Sequence, residues 1–152
     1  MEAEGQTPTF DVGEPLLLST AFVILRKHAE HALAPWNLTV TQAIALVFLD
    51  SVEHPIPVCE LARMLIQESP STSTLVDRMS ERGLVERQND PKDRRKALVG
   101  LTDRGLELRN EVDLTLRTAV VDLFSVLSAE QRATLKGALR TFRDKNIGRL
   151  RL

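Results

Sequence analysis

The chain has no tyrosine, one cysteine and one tryptophan among its 152 residues. A single thiol excludes a disulfide within the chain and any zinc site built mainly from cysteine, and we expect a protein of the reducing cytoplasm. Lysine and arginine nearly balance aspartate and glutamate, so the formal net charge is only -1. A surface for nucleic acid must therefore be a local patch, and a coat protein that binds anywhere on DNA is disfavoured.

Long apolar runs and enzyme motifs are also missing. The run from Pro15 to Leu25 is shorter than the roughly 20 residues that cross a bilayer, and the acidic N-terminus has no basic lead, so we expect neither a membrane span nor a signal peptide. No glycine-rich phosphate loop, Ser-His-acid spacing or metal-ligand spacing occurs. We therefore expect no enzyme, no cofactor and no bound metal.

Apolar residues recur at helical spacing along most of the chain, so most of it is predicted to be helical. Residues 1–13 are polar and predict a flexible tail. A first helix is predicted from Pro15 to Ala34, and its apolar stripe is wide enough to indicate a subunit interface. A second helix is predicted from Thr39 to Val52, and a short third helix is predicted with its N-cap at Pro57 or Ile56. The predicted inward positions are Val40, Ile44, Val47 and Phe48 on the second helix, and Val58, Leu61, Ala62 and Leu65 on the third.

The segment from Glu60 to Gly105 is the most informative part of the chain. A fourth helix is predicted to begin at the N-cap Ser69, with Pro70 in its first position, and to end at Gly83. Two short apolar runs then predict a hairpin, Leu84 to Gln88 and Ala97 to Leu101. The turn between them is basic, with Lys92, Arg94, Arg95 and Lys96. Helix, turn, helix, strand, basic turn and strand, in that order, predict a winged helix-turn-helix within a mainly α protein that has a small β-hairpin wing.

Two further helices complete the predicted fold. The first starts at Thr102-Asp103 and runs to about Leu127. Ser128 and Gln131 have the spacing of a capping box that begins the last helix. The predicted buried positions of that last helix are Leu135, Ala138, Leu139 and Phe142.

The start of the fourth helix is rich in hydroxyls, at Ser69, Ser71, Ser73 and Thr74. Short hydroxyl side chains let a backbone approach a major groove closely, and a helix N-terminus attracts phosphate. Arg78 follows on the exposed side, and the basic turn is suited to a minor groove. Each feature alone is commonly an ordinary cap or a solvated hairpin, whereas their combination favours DNA binding.

The chain resembles the MarR family of bacterial transcription regulators. The resemblance is carried by ELARML (Glu60 to Leu65), STLVDRMSERGLVER (Ser73 to Arg87) and DPKDRRKALVGLTDRG (Asp90 to Gly105). It implies an obligate homodimer with intertwined first and last two helices, which binds a short palindromic operator, usually as a repressor released by a small molecule. It also implies dimerisation helices at 14–37 and 102–152, and a DNA-binding lobe at 38–101.

The DNA-contacting positions that follow from the motif and the resemblance form two groups. One Arg of the wing is implied to enter the minor groove, and the neighbouring acid is implied to hold the shape of the wing. Thr74 stands where many members have a basic residue, and Pro57 where many have Ser or Thr. The expected contacts are Ser69, Ser71, Thr72, Ser73, Thr74 and Arg78 on the helix, and Lys92, Asp93, Arg94 and Arg95 on the wing.

An effector pocket is implied by the same resemblance, because members often bind aromatic anions between the dimerisation helices and the DNA-binding lobe. Candidates to line it are Arg26, His28, His31, Trp36 and Phe48. The alternative places Trp36 and Phe48 in the core, and the two histidines in solvent or at an interface.

Some members sense zinc or oxidants. A zinc site here would have to start from His28, His31 and nearby Glu30. Only His54 and Cys59 remain as other soft ligands, so a full set is hard to assemble. Cys59 is predicted to be a passive thiol.

Two classes of function remain open. The first is a dimeric sequence-specific repressor. The alternative is a winged-helix protein-interaction or anti-regulator module that does not read DNA, which Thr74 and the near-neutral charge keep open. Salt-dependent affinity for duplex DNA separates them, because phosphate contacts release counterions.

Overall fold

The computed structural model describes residues 13–91, 93 and 97–150. Within these residues the chain forms six α-helices and three short strands. The helices are α1 (Gly13–Leu33), α2 (Val40–Asp50), α3 (Val58–Leu65), α4 (Ser69–Glu81), α5 (Asp103–Phe124) and α6 (Ala129–Asn146). The strands are β1 (Ile56–Pro57), β2 (Val85–Asn89) and β3 (Ala97–Leu101), and short 3-10 turns follow α1 at Ala34–Trp36 and α6 at Ile147–Arg149. This mainly helical winged-helix architecture confirms the predicted fold class.

The three strands form one antiparallel sheet in the order β1-β3-β2. In the hairpin, Val85 pairs with Leu101 and Asn89 with Ala97, one residue from the predicted start and end of β2. Ile56 pairs with Val99 on the other side of β3. The sequence did not predict β1, because a two-residue strand that contains proline has no alternating pattern to detect.

Helix starts follow the side chains that can accept hydrogen bonds there. Thr39 forms a capping box with Gln42, and the predicted capping box of Ser128 with Gln131 is confirmed. The predicted N-cap of α4 is wrong by one residue. The carbonyl of Glu68 already accepts the amide of Thr72 at 3.1 Å, so Glu68 is the N-cap and Ser69 is the first helical residue.

The core lies where α2, α3 and α4 meet the sheet and α5. Its fully buried side chains include Leu46, Leu61, Met79 and Val99. The predicted inward face of α2 is wrong for Ile44 and Val47, which are 42% and 37% exposed. Since α2 is apolar on most of its sides, its periodicity does not identify one face. The small Ala43 and Ala45 lie inside instead. The buried set of α2 is Gln42, Ala43, Ala45, Leu46 and Leu49.

The terminal helices carry apolar side chains that this chain alone does not cover. α1 packs on α5, yet Leu17 is 73% and Phe22 is 61% exposed. The prediction that the last helix buries its apolar face is wrong within one chain, because α6 has no buried residue. Its exposed fractions include 37% at Leu135, 43% at Leu139 and 61% at Phe142, and Ala138 is exposed as well.

No single helix among the described residues is long and apolar enough to cross a bilayer. Within those residues, only α1 with its following turn, taken together with α2, has the length and composition of a span, and the two are bent by 79°.

Candidate nucleic-acid interface

The N-terminal half of α4 presents hydroxyl groups to solvent. Ser69, Ser71 and Thr74 are exposed, Ser73 is half-buried, and Arg78 is exposed one turn after Thr74. The first amides of a helix have no partner inside it, so this end offers N–H donors beside the hydroxyls. Donors, hydroxyls and a guanidinium on one face are suited to phosphates and to base edges.

Two hydroxyls of α4 are directed toward its own backbone. The hydroxyl of Thr74 donates to the carbonyl of Pro70 at 3.2 Å and remains on the surface. Thr72 is fully buried, and its hydroxyl donates to the carbonyl of Glu68 at 3.3 Å. The expected DNA contact of the Thr72 side chain is therefore a misassignment, because this side chain packs into the core.

The orientation of α4 is set at both of its ends. Before it, Ile66 takes a left-handed conformation with φ of 55° and ends α3. After it, Gly83 has φ of 67°, which glycine adopts without strain and which turns the chain into β2. The Arg82 guanidinium donates to the carbonyls of Trp36 and Asn37, each at 2.8 Å. The end of α4 is thereby held against the segment that joins α1 to α2.

The hairpin lies beside α4 and is joined to it by an ion pair. Arg87 on β2 donates to the carboxylate of Asp77 on α4. At the tip, Asp93 is half-buried. The expected wing contacts Lys92, Arg94 and Arg95, with Lys96, lie outside the described residues.

A cleft of about 560 Å³ opens between α1, α2 and α4. Among the five candidate effector residues only Arg26 lines it, and Arg26 pairs with Glu30 at 2.7 Å. Its other lining residues include apolar side chains of α1 and α2 and three exposed residues of α4, and no sequence pattern connects them with a pocket. Residues from three separate helices meet here, so no local pattern marks the cleft; the exposed Ile44 is its one indirect sign. The residues that line the cleft but were not predicted are Phe22, Leu25, Ala29, Glu30, Thr39, Val40, Thr41, Ile44, Gln67, Ser71, Thr74, Leu75 and Arg78.

The remaining four candidates lie elsewhere. Trp36 packs against the core and its indole N–H donates to Glu111 on α5 at 3.0 Å. Phe48 also packs against the core, as the structural alternative held. His28 and His31 are exposed, and the ring of His28 bonds to the carbonyl of Ile24 at 3.0 Å.

The side chains that could bind a metal ion do not form a cluster in the part of the chain that the structure describes. Among the residues that the structure describes, no three or more His, Cys, Asp or Glu side chains gather closely enough to hold a metal ion. Cys59 is an exposed free thiol at the start of α3.

Comparison with known proteins also points to a winged-helix regulator. Residues 36–96, which run from the turn after α1 through β2 to the residue before β3, match the sequence profile of the MarR family. The structure of AbsC, a MarR family transcriptional regulator from Streptomyces coelicolor, is 27% identical with a TM-score of 0.81, covering 93% of this chain and 99% of AbsC. A probable transcriptional regulator from Pseudomonas aeruginosa is 28% identical with a TM-score of 0.75, covering 83% of this chain and 93% of the other.

A third similar structure contains nucleic acid. The transcriptional repressor CouR, bound to a 23-mer DNA duplex, is 26% identical with a TM-score of 0.80, and the match covers 93% of this chain and 99% of CouR. Profile, fold and exposed α4 surface therefore agree: the chain has the winged-helix fold of DNA-binding transcriptional regulators and is similar to the MarR family.

Proposed function

We propose that the protein is a homodimeric repressor that binds a short palindromic operator and is released from it by a small aromatic or anionic effector. In this proposal residues 14–37 and 102–152 form the dimer and residues 38–101 form the DNA-binding lobe. The observation that carries the DNA-binding mode is the exposed, hydroxyl-rich start of α4 beside an antiparallel hairpin.

Dimerisation is supported by the uncovered apolar surface of the terminal helices. Leu135, Leu139 and Phe142 recur on one face of α6 at spacings of four and three residues, and all three are exposed in the single chain. The first half of α1 exposes Leu17 and Phe22. A monomeric protein rarely exposes apolar patches of this extent, so a second copy is the natural cover.

In the proposed complex, α4 of each copy enters a major groove. Ser69, Ser71, Ser73 and Thr74 would contact phosphates and base edges, and Arg78 would reach a phosphate or a base. The basic tip at Lys92, Arg94 and Arg95 would lie along the adjacent minor groove. A dimer requires its two α4 helices to be about 34 Å apart, which is one turn of B-form DNA.

Release by an effector is supported by the cleft between α1, α2 and α4. Its volume of about 560 Å³ suits a small molecule. Arg26 and Arg78 line it beside Phe22 and Leu25, so an apolar ring with an anionic group matches its chemistry. A ligand there would release DNA if it binds better when the two α4 helices are spaced wrongly for the grooves.

The experiment that tests DNA binding is fluorescence anisotropy with duplex DNA from upstream of the gene, at several salt concentrations, with a scrambled duplex for comparison. The parent should prefer the upstream duplex and lose affinity as salt rises. Arg94→Ala combined with Arg95→Ala should weaken binding on the order of 100-fold, because each lost contact costs about tenfold or more.

The matched control for the wing variant is Lys145→Ala combined with Arg149→Ala, which removes two positive charges from the C-terminal helical region. This control should bind within about threefold of the parent. If the wing variant binds like the control, the wing does not contact DNA. If the parent binds both duplexes equally and weakly, the alternative of a protein-interaction module is favoured, with Thr74 bonded to its own helix as its structural sign.

The effector cleft is tested by filling it. Ile44→Trp places a large side chain in the cleft. Val47→Trp is the matched control, because it adds the same side chain about one turn further along α2, at an exposed position that does not line the cleft. With benzoate as the probe, Ile44→Trp should raise the concentration needed to displace DNA at least tenfold, and Val47→Trp should leave it unchanged. Equal responses of the two variants, or no displacement from the parent by benzoate or related aryl carboxylates, would contradict an aromatic-anion site here.

A further inference from the structure

We propose that Arg87 is a positioning residue for DNA binding, which neutralises Asp77 on the groove-facing side of α4 and so lets this helix approach DNA. The inference rests on the proposed placement of α4 in the major groove. It concerns two residues outside the expected set of DNA contacts, and it assigns the hairpin stem a role separate from that of the basic tip.

Asp77 lies on the surface of α4 that the proposed function directs toward DNA. It follows Ser73 by one helical turn and immediately precedes Arg78, and its side chain is 54% exposed. An acidic side chain at this place is unexpected on a helix that approaches phosphates. Left alone, its charge would repel the DNA backbone.

Arg87 lies opposite Asp77 in the middle of β2. Its guanidinium forms an ion pair with the Asp77 carboxylate and its side chain is 35% exposed. The pair therefore joins the groove-facing helix to the stem of the hairpin across ten positions of sequence. Arg87 can offset the negative charge of Asp77 and also keep its side chain turned toward the hairpin.

The ion pair between Arg87 and Asp77 is expected to matter more in the DNA complex than in the unbound protein, for an electrostatic reason. An exposed ion pair contributes little to folding, because water screens both charges. When α4 enters a groove, water leaves and the phosphates approach, so an uncompensated carboxylate is penalised more strongly. The value of Arg87 is thus realised on binding.

Substitution of Asp77 distinguishes two possible roles of Arg87. If Arg87 only neutralises Asp77, removing the carboxylate makes Arg87 dispensable. If Arg87 contacts a phosphate directly, its loss cannot be repaired by changing Asp77. Rescue of an Arg87 variant by Asp77→Asn is therefore the readout that a merely structural role or a direct contact would not produce.

The experiment measures duplex affinity against salt for the full chain and four variants, with thermal melting to show that each folds. Arg87→Gln should weaken binding about tenfold, and Arg87→Lys, which keeps the charge, should weaken it less than threefold. Asp77→Asn alone should strengthen binding severalfold. Asp77→Asn combined with Arg87→Gln should return to within about threefold of the parent, with an unchanged salt dependence.

Arg117→Gln is the matched control, because Arg117 pairs with Asp113 on α5 at 2.7 Å, away from α4 and the hairpin. It should bind like the parent and, because Arg117 lies in the proposed dimerisation segment, sedimentation equilibrium should show the same oligomeric state as the parent. An Arg87→Gln variant that binds like this control, or a double variant that stays as weak as Arg87→Gln, would overturn the proposal. A parent that binds no duplex would instead overturn the proposed function, so the two failures are distinguishable.

Discussion

Replacing Leu139 and Phe142 by aspartate is expected to convert the proposed dimer into a monomer and to lower its affinity for the proposed operator by more than 100-fold. Both side chains are exposed on α6, at 43% and 61%, and α6 contributes no buried residue within its own chain. Two carboxylates in a subunit interface would each have to be desolvated without a partner. A monomer would also contact only one half-site. Sedimentation equilibrium and anisotropy with the same samples would measure both effects.

Thr134→Asp supplies the matched control for this variant. Thr134 is exposed on the same helix, but it precedes Leu135 by one position and therefore lies about 100° around the helix from it. The added charge is of the same kind, while the apolar face is left intact. We expect this control to remain dimeric. If the Leu139 and Phe142 variant stayed dimeric too, α6 would not form the interface, and the exposed apolar half of α1 would be tested next.

Gly105→Ala is expected to destabilise the folded chain by about 3 kcal/mol, since a methyl group there has no space. Gly105 is buried in the first turn of α5, and an added Cβ would overlap the carbonyl oxygen of Leu84 and lie 3.0 Å from its carbon. This neighbour is backbone at the start of the hairpin, so it cannot move aside as a side chain would. Thermal unfolding should begin roughly 10 °C lower than in the parent.

Gly137→Ala is the control for the glycine change. Gly137 is inside α6, and an added Cβ there meets no atom within 4 Å among the described residues, apart from the backbone of its own helix. Alanine is favoured over glycine inside a helix by about 1 kcal/mol, so this variant should be as stable as the parent or more so. Equal melting of the Gly105 and Gly137 variants would show that α5 can shift away from Leu84. A loss of stability at Gly137 would indicate that a second copy approaches α6 on that side.

The local signals in the sequence were strong where one residue decides the backbone. Thr39 and Ser128 begin helices because their side chains accept an amide of the first turn. Gly83 turns the chain after α4 because its conformation is left-handed. The hairpin was predicted to within one residue from two short apolar runs on either side of turn formers.

Helical periodicity did not predict which face of a helix is buried when more than one face is apolar or when the covering surface lies outside the chain. Ile44 and Val47 are apolar, yet the structure buries the alanine side of α2 and leaves both of them exposed. Leu135 and Phe142 form an apolar stripe, but the stripe has no partner in its own chain. Periodicity reports that a face is apolar; it does not report which surface covers that face.

The order of elements, the capping box at Ser128, the glycine turn at Gly83 and the winged-helix class follow from the sequence itself, because local patterns and their order along the chain carry them. The tertiary structure alone decided that Thr72 is buried and that Arg87 meets Asp77. It also decided that the cleft beside α4 is built from three helices. These facts depend on how helices pack across long sequence separations, where the burial of a whole face outweighs the preference of any single residue.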